Sequence, residues 1–246
     1  MLKLMKYEFR KTAFFKFVLL LITAIIEVVY LLGVFLEKDN LLAIGIFFLS
    51  LCAIIGIFCV GIQSVLTLHR DLNTKQSYML FLTPKSSYEI LGAKILENGI
   101  SILAAGAFFA VLAAIDITVA TVYIGGMQEL YDLVSSFLEV NWSVVLSPAQ
   151  AAFFFFSILA SWMVYIVNAD LAVILSSSVL AGKRGSGVVA FILFLVLSTL
   201  LGMVLNRIPT LKSAELTFVL YIVITLAVAA VLYLISGWFM EKKLSV

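Results

Sequence analysis

Two long apolar runs are separated by a polar stretch at residues 66–96, which reads LTLHRDLNTKQSYMLFLTPKSSYEILGAKIL. Within it, Ser86 and Glu89 form an S-x-x-E pattern, in which a serine caps a new helix and a glutamate occupies its first turn. Pro84 fixes the chain direction just before this cap. The first apolar residues of the new helix are Tyr88, Ile90 and Leu91. The stretch therefore predicts a short amphipathic helix that continues into the following apolar run.

The composition is that of a protein embedded in lipid. The chain has 246 residues, of which 64% are hydrophobic and 12% charged, whereas soluble domains are about 45–50% apolar and about 25% charged. Helices are expected because unpaired backbone groups in hydrocarbon cost several kcal/mol each. The net charge of +2 gives no indication of a nucleic-acid partner. The sequence thus predicts an all-α integral membrane protein whose surface contacts membrane lipids.

Six apolar runs are long enough to cross a hydrocarbon core of about 30 Å. They predict a single transmembrane domain over residues 1–246, with spans at residues 17–36, 41–68, 95–124, 149–180, 188–205 and 216–240. Residues 1–16 place Leu2, Met5 and Phe9 on one helical face and basic residues on another, which predicts an amphipathic interfacial helix. The alternative is that residues 1–16 are only a basic segment beside the first span, which sets the orientation of the spans in the membrane.

The basic residues predict the orientation of these spans. Lys38, Arg207 and Lys212 fall on one side, together with the acidic segment 125–148, in which we expect a short amphipathic helix. The other thirteen of the 16 Lys and Arg are Lys3, Lys6, Arg10, Lys11, Lys16, Arg70, Lys75, Lys85, Lys94, Lys183, Arg184, Lys242 and Lys243. Because cytoplasmic loops carry an excess of Lys and Arg, both termini and the stretch 66–96 are expected in the cytoplasm of a plasma-membrane protein.

The sequence contains no recognisable catalytic or nucleotide-binding motif. A phosphate-binding loop requires G-x-x-x-x-G-K-[ST] after a strand, and residues 182–187 lack that order. His69 is the single histidine, so neither a metal centre nor a Ser-His-Asp arrangement is indicated. We therefore predict no catalytic residue, metal or cofactor on this chain.

Three acidic residues, Glu27, Asp116 and Asp170, fall inside predicted spans. Carboxyl groups within a membrane are costly and are expected to face the bundle interior or water. One interpretation is a polar site that contacts substrate or relays protons. The other is a structural hydrogen bond between helices, and the sequence leaves both open.

In the order of its spans and in the sequence of residues 77–96, the chain resembles the transmembrane subunit of an ABC-2-type ABC transporter. That family has a leucine and a proline, a small polar residue and an apolar run ending in lysine between its second and third spans. The matching positions are Leu82, Pro84, Ser86, Ser87, Ile90, Leu91 and Lys94. The family often carries an outer re-entrant helical pair between spans 5 and 6, where this chain has only a very short link.

The resemblance implies a permease subunit driven by a separate ATPase, which would bind ATP and Mg. A coupling helix would sit in a cleft of that ATPase. Residues 1–16 would form the elbow helix. The loop with Lys183 and Arg184 would make a second, smaller contact with the ATPase. ATPase closure would move the coupling helix and reorganise spans 1, 2 and 5 at the seam of a permease homodimer or heterodimer. The coupling residues would be Pro84, Lys85, Ser86, Ser87, Tyr88, Glu89 and Leu91. Among them, Lys85 and Glu89 would make polar contacts, while Tyr88 and Leu91 would fill the cleft.

Two other functions are compatible with the sequence. The first is an ion- or proton-coupled secondary transporter that uses Glu27, Asp116 and Asp170. Such carriers are built from internal repeats and interrupted helices, whereas this sequence has no convincing repeat and no proline in the middle of a span. The second is a membrane sensor or scaffold that transports nothing.

Overall fold

The computed structural model describes residues 2–36, 38–73, 85–124, 148–180, 185–209, 211 and 213–243. In these residues the structure is helical without strands, and six helices are long and apolar enough to cross a membrane. They are α1 Leu2–Phe35, α2 Asp39–Asn73, α3 Ser87–Ile124, α4 Pro148–Val179, α5 Ser186–Leu205 and α6 Ala214–Lys243. The prediction of an all-helical, multi-pass membrane protein with six spans is confirmed for this part of the chain.

Five of the six helices are longer than a bilayer requires, and the first three are the longest. Helices α1, α2 and α3 contain 34, 35 and 38 residues, which corresponds to about 51–57 Å at 1.5 Å per residue. Because the hydrocarbon core is about 30 Å thick, these helices must tilt or project beyond it. Helix α5, with 20 residues, has the length that a span needs.

The N-terminal segment continues directly into the first span. Helix α1 is uninterrupted, and residues 1–16 contain neither the glycine nor the proline that would favour a break. The structure therefore does not show the separate amphipathic helix predicted for residues 1–16. Helix α3 is also uninterrupted, so a separate coupling helix is not shown in the described residues either.

The chain divides into two compact units. Unit 1 comprises Met1–Glu8, Ile62–Gly99 and Leu146–Val246, and unit 2 comprises Phe9–Gly61 and Ile100–Val145. The core of unit 1 is a cluster of buried apolar side chains from α2 to α6, which includes Leu68, Leu91, Ile174, Ala190 and Met240. The sequence predicted a single transmembrane domain over residues 1–246. Because this concerns the whole chain, it stays a prediction.

Unit 2 brings α1 and α2 into close contact through glycines. A Cβ atom on Gly33 would lie 2.6 Å from the main-chain nitrogen of Leu42, and one on Gly45 would lie 2.7 Å from Cα of Tyr30. Such small residues allow helices in lipid to approach closely. The core of this unit is formed by Tyr30, Val34 and Leu42. Its outer surface is apolar, with Ile54 72% exposed, as expected for a face in contact with lipid.

Candidate functional site

The start of α3 carries an exposed, charged turn. The main-chain N–H of Glu89 donates a hydrogen bond of 3.2 Å to the side-chain oxygen of Ser86, which is the predicted cap. The Glu89 carboxylate does not complete the reciprocal half of a capping box, because it accepts a hydrogen bond of 3.2 Å from Lys85. The side chains of Lys85 and Glu89 are 41% and 38% exposed. This turn therefore presents one positive and one negative group to its surroundings.

The next residues of α3 face into unit 1. The ring of Tyr88 packs edge-on against Tyr233, with centroids 6.1 Å apart, and the Tyr233 hydroxyl donates a hydrogen bond of 2.7 Å to the main-chain oxygen of Tyr88. A Cβ atom on Gly237 would overlap the Tyr88 ring at 2.2 Å. Leu91 is completely buried in the apolar core. The predicted coupling residues thus divide into an exposed charged pair and an internal anchor, while Pro84 lies outside the described residues.

A buried ion cluster lies two turns further along α3. The ammonium group of Lys94 is 2.7 Å from Asp71 Oδ2 and 3.0 Å from Glu8 Oε2. All three side chains are at most 7% exposed. The cluster joins α1, α2 and α3 within unit 1. From the sequence, Lys94 served to predict the orientation and marked the end of a family motif, whereas Glu8 was not singled out.

Polar contacts also tie the end of α2 to α4 and α5. His69 Nε2 and Ser186 Oγ are 3.2 Å apart, and the Asn73 amide donates a hydrogen bond of 2.9 Å to Ser177 Oγ. Helix α5 begins after Gly185, whose φ of 110° lies in the left-handed region that favours glycine. Lys183 and Arg184, the predicted second contact, lie outside the described residues.

Two of the three intramembrane acids meet in unit 2. The side chains of Glu27 on α1 and Asp116 on α3 lie within hydrogen-bonding reach of each other. Tyr30, one turn after Glu27, donates a hydrogen bond of 2.7 Å to the main-chain oxygen of Asp116. Asp116 is 9% exposed and Tyr30 2% exposed. The arrangement is a carboxyl pair of a buried Asp116 and a half-buried Glu27, with a tyrosine beside it.

The third acid, Asp170, belongs to unit 1. It is 1% exposed, and among the described residues none hydrogen-bonds to either of its carboxylate oxygens. Lys94 is close enough to act on it electrostatically. Its neighbour Asn168 instead donates a hydrogen bond of 3.0 Å to Ser198 Oγ on α5. Asp170 therefore differs from the Glu27–Asp116 pair in having no hydrogen-bonded neighbour in the described structure.

A cavity of about 500 Å³ lies between α4 and α6 in unit 1. Two of its hydroxyl groups, on Ser161 and Tyr221, are 3.0 Å apart and satisfy each other. Since no side chain along its wall is charged, the cavity suits an apolar or aromatic group rather than an ion. It is lined by Phe154, Ser157, Ile158, Ser161, Trp162, Tyr165, Thr217, Phe218 and Tyr221.

Comparisons with known proteins do not extend these observations: no family model, curated protein or solved structure matches the chain. The described residues also contain no group of three or more His, Cys, Asp or Glu side chains that could hold a metal ion. The class of protein that the structure defines is a multi-pass helical membrane protein. Three features carry its chemistry, namely the charged turn of α3, the Lys94 ion cluster and the Glu27–Asp116 pair.

Proposed function

We propose that this chain is the membrane-spanning subunit of an ATP-driven exporter of the ABC-2 type. A separate ATPase subunit would bind ATP and Mg, and two permease subunits would pair in the plasma membrane with their termini in the cytoplasm. This chain would then perform no chemical step of its own. Its role would be to convert motion of the ATPase into rearrangement of its helices.

The observation that carries this proposal is the construction of the start of α3. An exposed charged turn, Lys85 to Glu89, stands on a base that is fixed inside unit 1. Charged groups on an exposed rim commonly set the partner and its orientation, whereas the buried base resists displacement. A docking surface that must also transmit force needs both properties.

The contacts of this base define a route for that force within unit 1. Tyr233 connects the first turn of α3 to α6, while Glu8 and Asp71 connect Lys94 to α1 and α2. No proline interrupts α3, so displacement of its first turn would be passed along the part of this helix that belongs to unit 1. Motion applied to Lys85 and Glu89 would therefore reach three other helices through direct contacts.

Leu91 has a different role in this proposal from the one that the resemblance implies. It is fully buried in the core of unit 1, so it would hold the helix in place rather than fill a cleft of the ATPase. The partner would be recognised by Lys85 and Glu89, with Ser86 maintaining the turn that presents them. The elbow role of residues 1–16 would be performed by the start of the continuous helix α1.

The test is co-purification with ABC ATPase subunits from the same genome, each co-expressed with this chain. Replacing both Lys85 and Glu89 with alanine should weaken binding of the cognate ATPase at least about tenfold, or about 1.4 kcal/mol. The melting temperature should be nearly unchanged because an exposed ion pair is worth under about 1 kcal/mol. Lys38→Ala, in the exposed turn before α2, is the matched control and should bind normally. Failure of every ABC ATPase to co-purify, or full binding by the double variant, would refute the proposal.

A second candidate function is an ion- or proton-coupled carrier, and the carboxyl pair of Glu27 and Asp116 favours it. Asp170 lies in the other unit and is not part of this pair. A carrier would work without an ATPase. Uptake driven by a pH gradient in liposomes that contain this chain alone would therefore favour the carrier over the exporter.

A further inference from the structure

The Glu27–Asp116 pair is far from any basic partner along its own helices. Lys16 precedes Glu27 by eleven residues, about 16 Å along the helix axis, and its ammonium group is already hydrogen bonded to Ser101 Oγ at 2.6 Å. Lys38 lies beyond the end of α1. On α3, no basic residue follows Lys94, which belongs to unit 1. A basic side chain on these helices is therefore not available to neutralise the pair.

Hydrogen donors near the pair are used elsewhere. The Tyr30 hydroxyl donates its hydrogen bond to the main-chain oxygen of Asp116 and not to a carboxylate. In the described structure, neither Glu27 Oε2 nor Asp116 Oδ1 receives a hydrogen bond from an N–H or O–H group, although both atoms are buried. Asp116 is also more than nine-tenths buried. A buried carboxylate oxygen without a donor is costly, so a further donor is required.

We propose that Glu27 and Asp116 form a proton-binding site, in which the two carboxyl groups hold one proton between them. Two carboxyl groups can hydrogen-bond to each other only if one of them carries a proton, because ionised carboxylates are acceptors alone. Two ionised carboxylates in one buried site also repel, and sharing a proton removes that repulsion. The proton thus supplies both the missing donor and the missing positive charge.

The surroundings contain few other groups that titrate. Helix α1 contributes Tyr30 as well as Glu27, and α3 contributes Asp116. Helix α2 contributes Cys52, whose sulfur is 3.4 Å from the hydroxyl of Thr23, one turn before Glu27. The proton is therefore held by the carboxyl pair itself.

Infrared spectroscopy tests this site directly, because a protonated carboxyl group has a C=O stretch distinct from that of a carboxylate. The full-length protein in lipid nanodiscs would be compared at neutral pH with the double variant Glu27→Gln and Asp116→Asn. The amides keep the shape and the hydrogen bond, so the variant should fold. We expect the loss of about one carboxylic-acid equivalent per chain. Any signal from Asp170 is common to both proteins and cancels.

The control is Glu89→Gln, which removes an exposed carboxylate paired with Lys85 and should leave the carboxylic-acid signal unchanged. If the amide variant does not fold, leucine at both positions removes the carboxyl groups without leaving a buried charge. Identical carboxylic-acid signals in the wild type and a folded double variant would overturn the proposal. That result would mean that both carboxylates are ionised, as they would be around a bound metal cation.

Discussion

Lys94 donates a hydrogen bond of 2.7 Å to Asp71, and the two side chains are 2% and 3% exposed. Lys94 also lies 3.0 Å from Glu8. Buried charges are stable only when paired, since each has lost its hydration. The lysine therefore holds the N-terminal part of α1 and the last turn of α2 against α3 within unit 1.

Lys94→Met should destabilise the protein strongly. Methionine fills most of the volume but leaves Asp71 and Glu8 buried without their lysine, and loss of one partner of a buried ion pair costs about 3–5 kcal/mol. The measurement is the free energy of unfolding in detergent. Lys85→Met is the control, because Lys85 forms an exposed pair worth under about 1 kcal/mol. Equal stabilities for the two variants would contradict the structural role of the cluster.

Adding Glu8→Gln and Asp71→Asn to Lys94→Met separates charge from packing. The triple variant has no ionised group in the cluster, so it should recover most of the stability that Lys94→Met loses. Thermal melting of the single and triple variants side by side provides the comparison. A triple variant less stable than the single variant would show that the polar contacts, rather than unpaired charge, dominate.

Gly237→Ala should disrupt the attachment of α3 to α6. The added Cβ would lie 2.2 Å from the Tyr88 ring, and displacing that ring also disturbs the hydrogen bond from Tyr233 to the main-chain oxygen of Tyr88. Overpacking of this kind costs about 1–3 kcal/mol. Tyr88→Ala removes the clash, so the double variant Gly237→Ala with Tyr88→Ala should be no less stable than Tyr88→Ala alone. A loss from Gly237→Ala of equal size in both backgrounds would show that the clash is not with Tyr88.

The sequence was sufficient to predict features that depend on neighbouring residues. Apolar runs identified all six spans because every backbone group of a helix is satisfied within its own segment. The cap at Ser86 was predicted because its acceptor and the Glu89 N–H are three residues apart. The separate amphipathic helix predicted for residues 1–16 is not shown, since amphipathic spacing alone does not interrupt a helix and residues 1–16 contain no glycine or proline.

Features that depend on pairing across the chain could not be predicted. Lys94 and Asp71 are 23 residues apart, and Lys94 and Glu8 are still further apart. Sequence reasoning named Glu27, Asp116 and Asp170 as one possible polar site, but it could not determine that the first two meet and that the third belongs to another unit. Helical periodicity gives the face on which a residue lies, not the helix that this face contacts.

Gly33→Ala tests the close approach of α1 and α2 in unit 2. Its Cβ would lie 2.6 Å from the main-chain nitrogen of Leu42, and a backbone atom cannot move aside as a side chain can. We expect a loss of about 1–3 kcal/mol in unfolding free energy. Gly106→Ala is the matched control within unit 2, because a Cβ there meets nothing within 4 Å and alanine favours the helix by up to about 1 kcal/mol. Equal effects of the two substitutions would mean that α1 and α2 are not in contact at Gly33.

Asp170→Leu should not destabilise the protein, in contrast to Asn168→Leu. Asp170 is 1% exposed and has no hydrogen bond to lose in the described structure, so an apolar side chain of similar size removes a costly polar group. Asn168→Leu breaks the hydrogen bond to Ser198 and should cost about 1–3 kcal/mol. The melting temperatures of the two variants test this prediction: only that of Asn168→Leu should fall. If Asp170→Leu is the less stable variant, the Asp170 carboxyl must make a stabilising interaction, and its proximity to Lys94 identifies the ion cluster as the partner to test next.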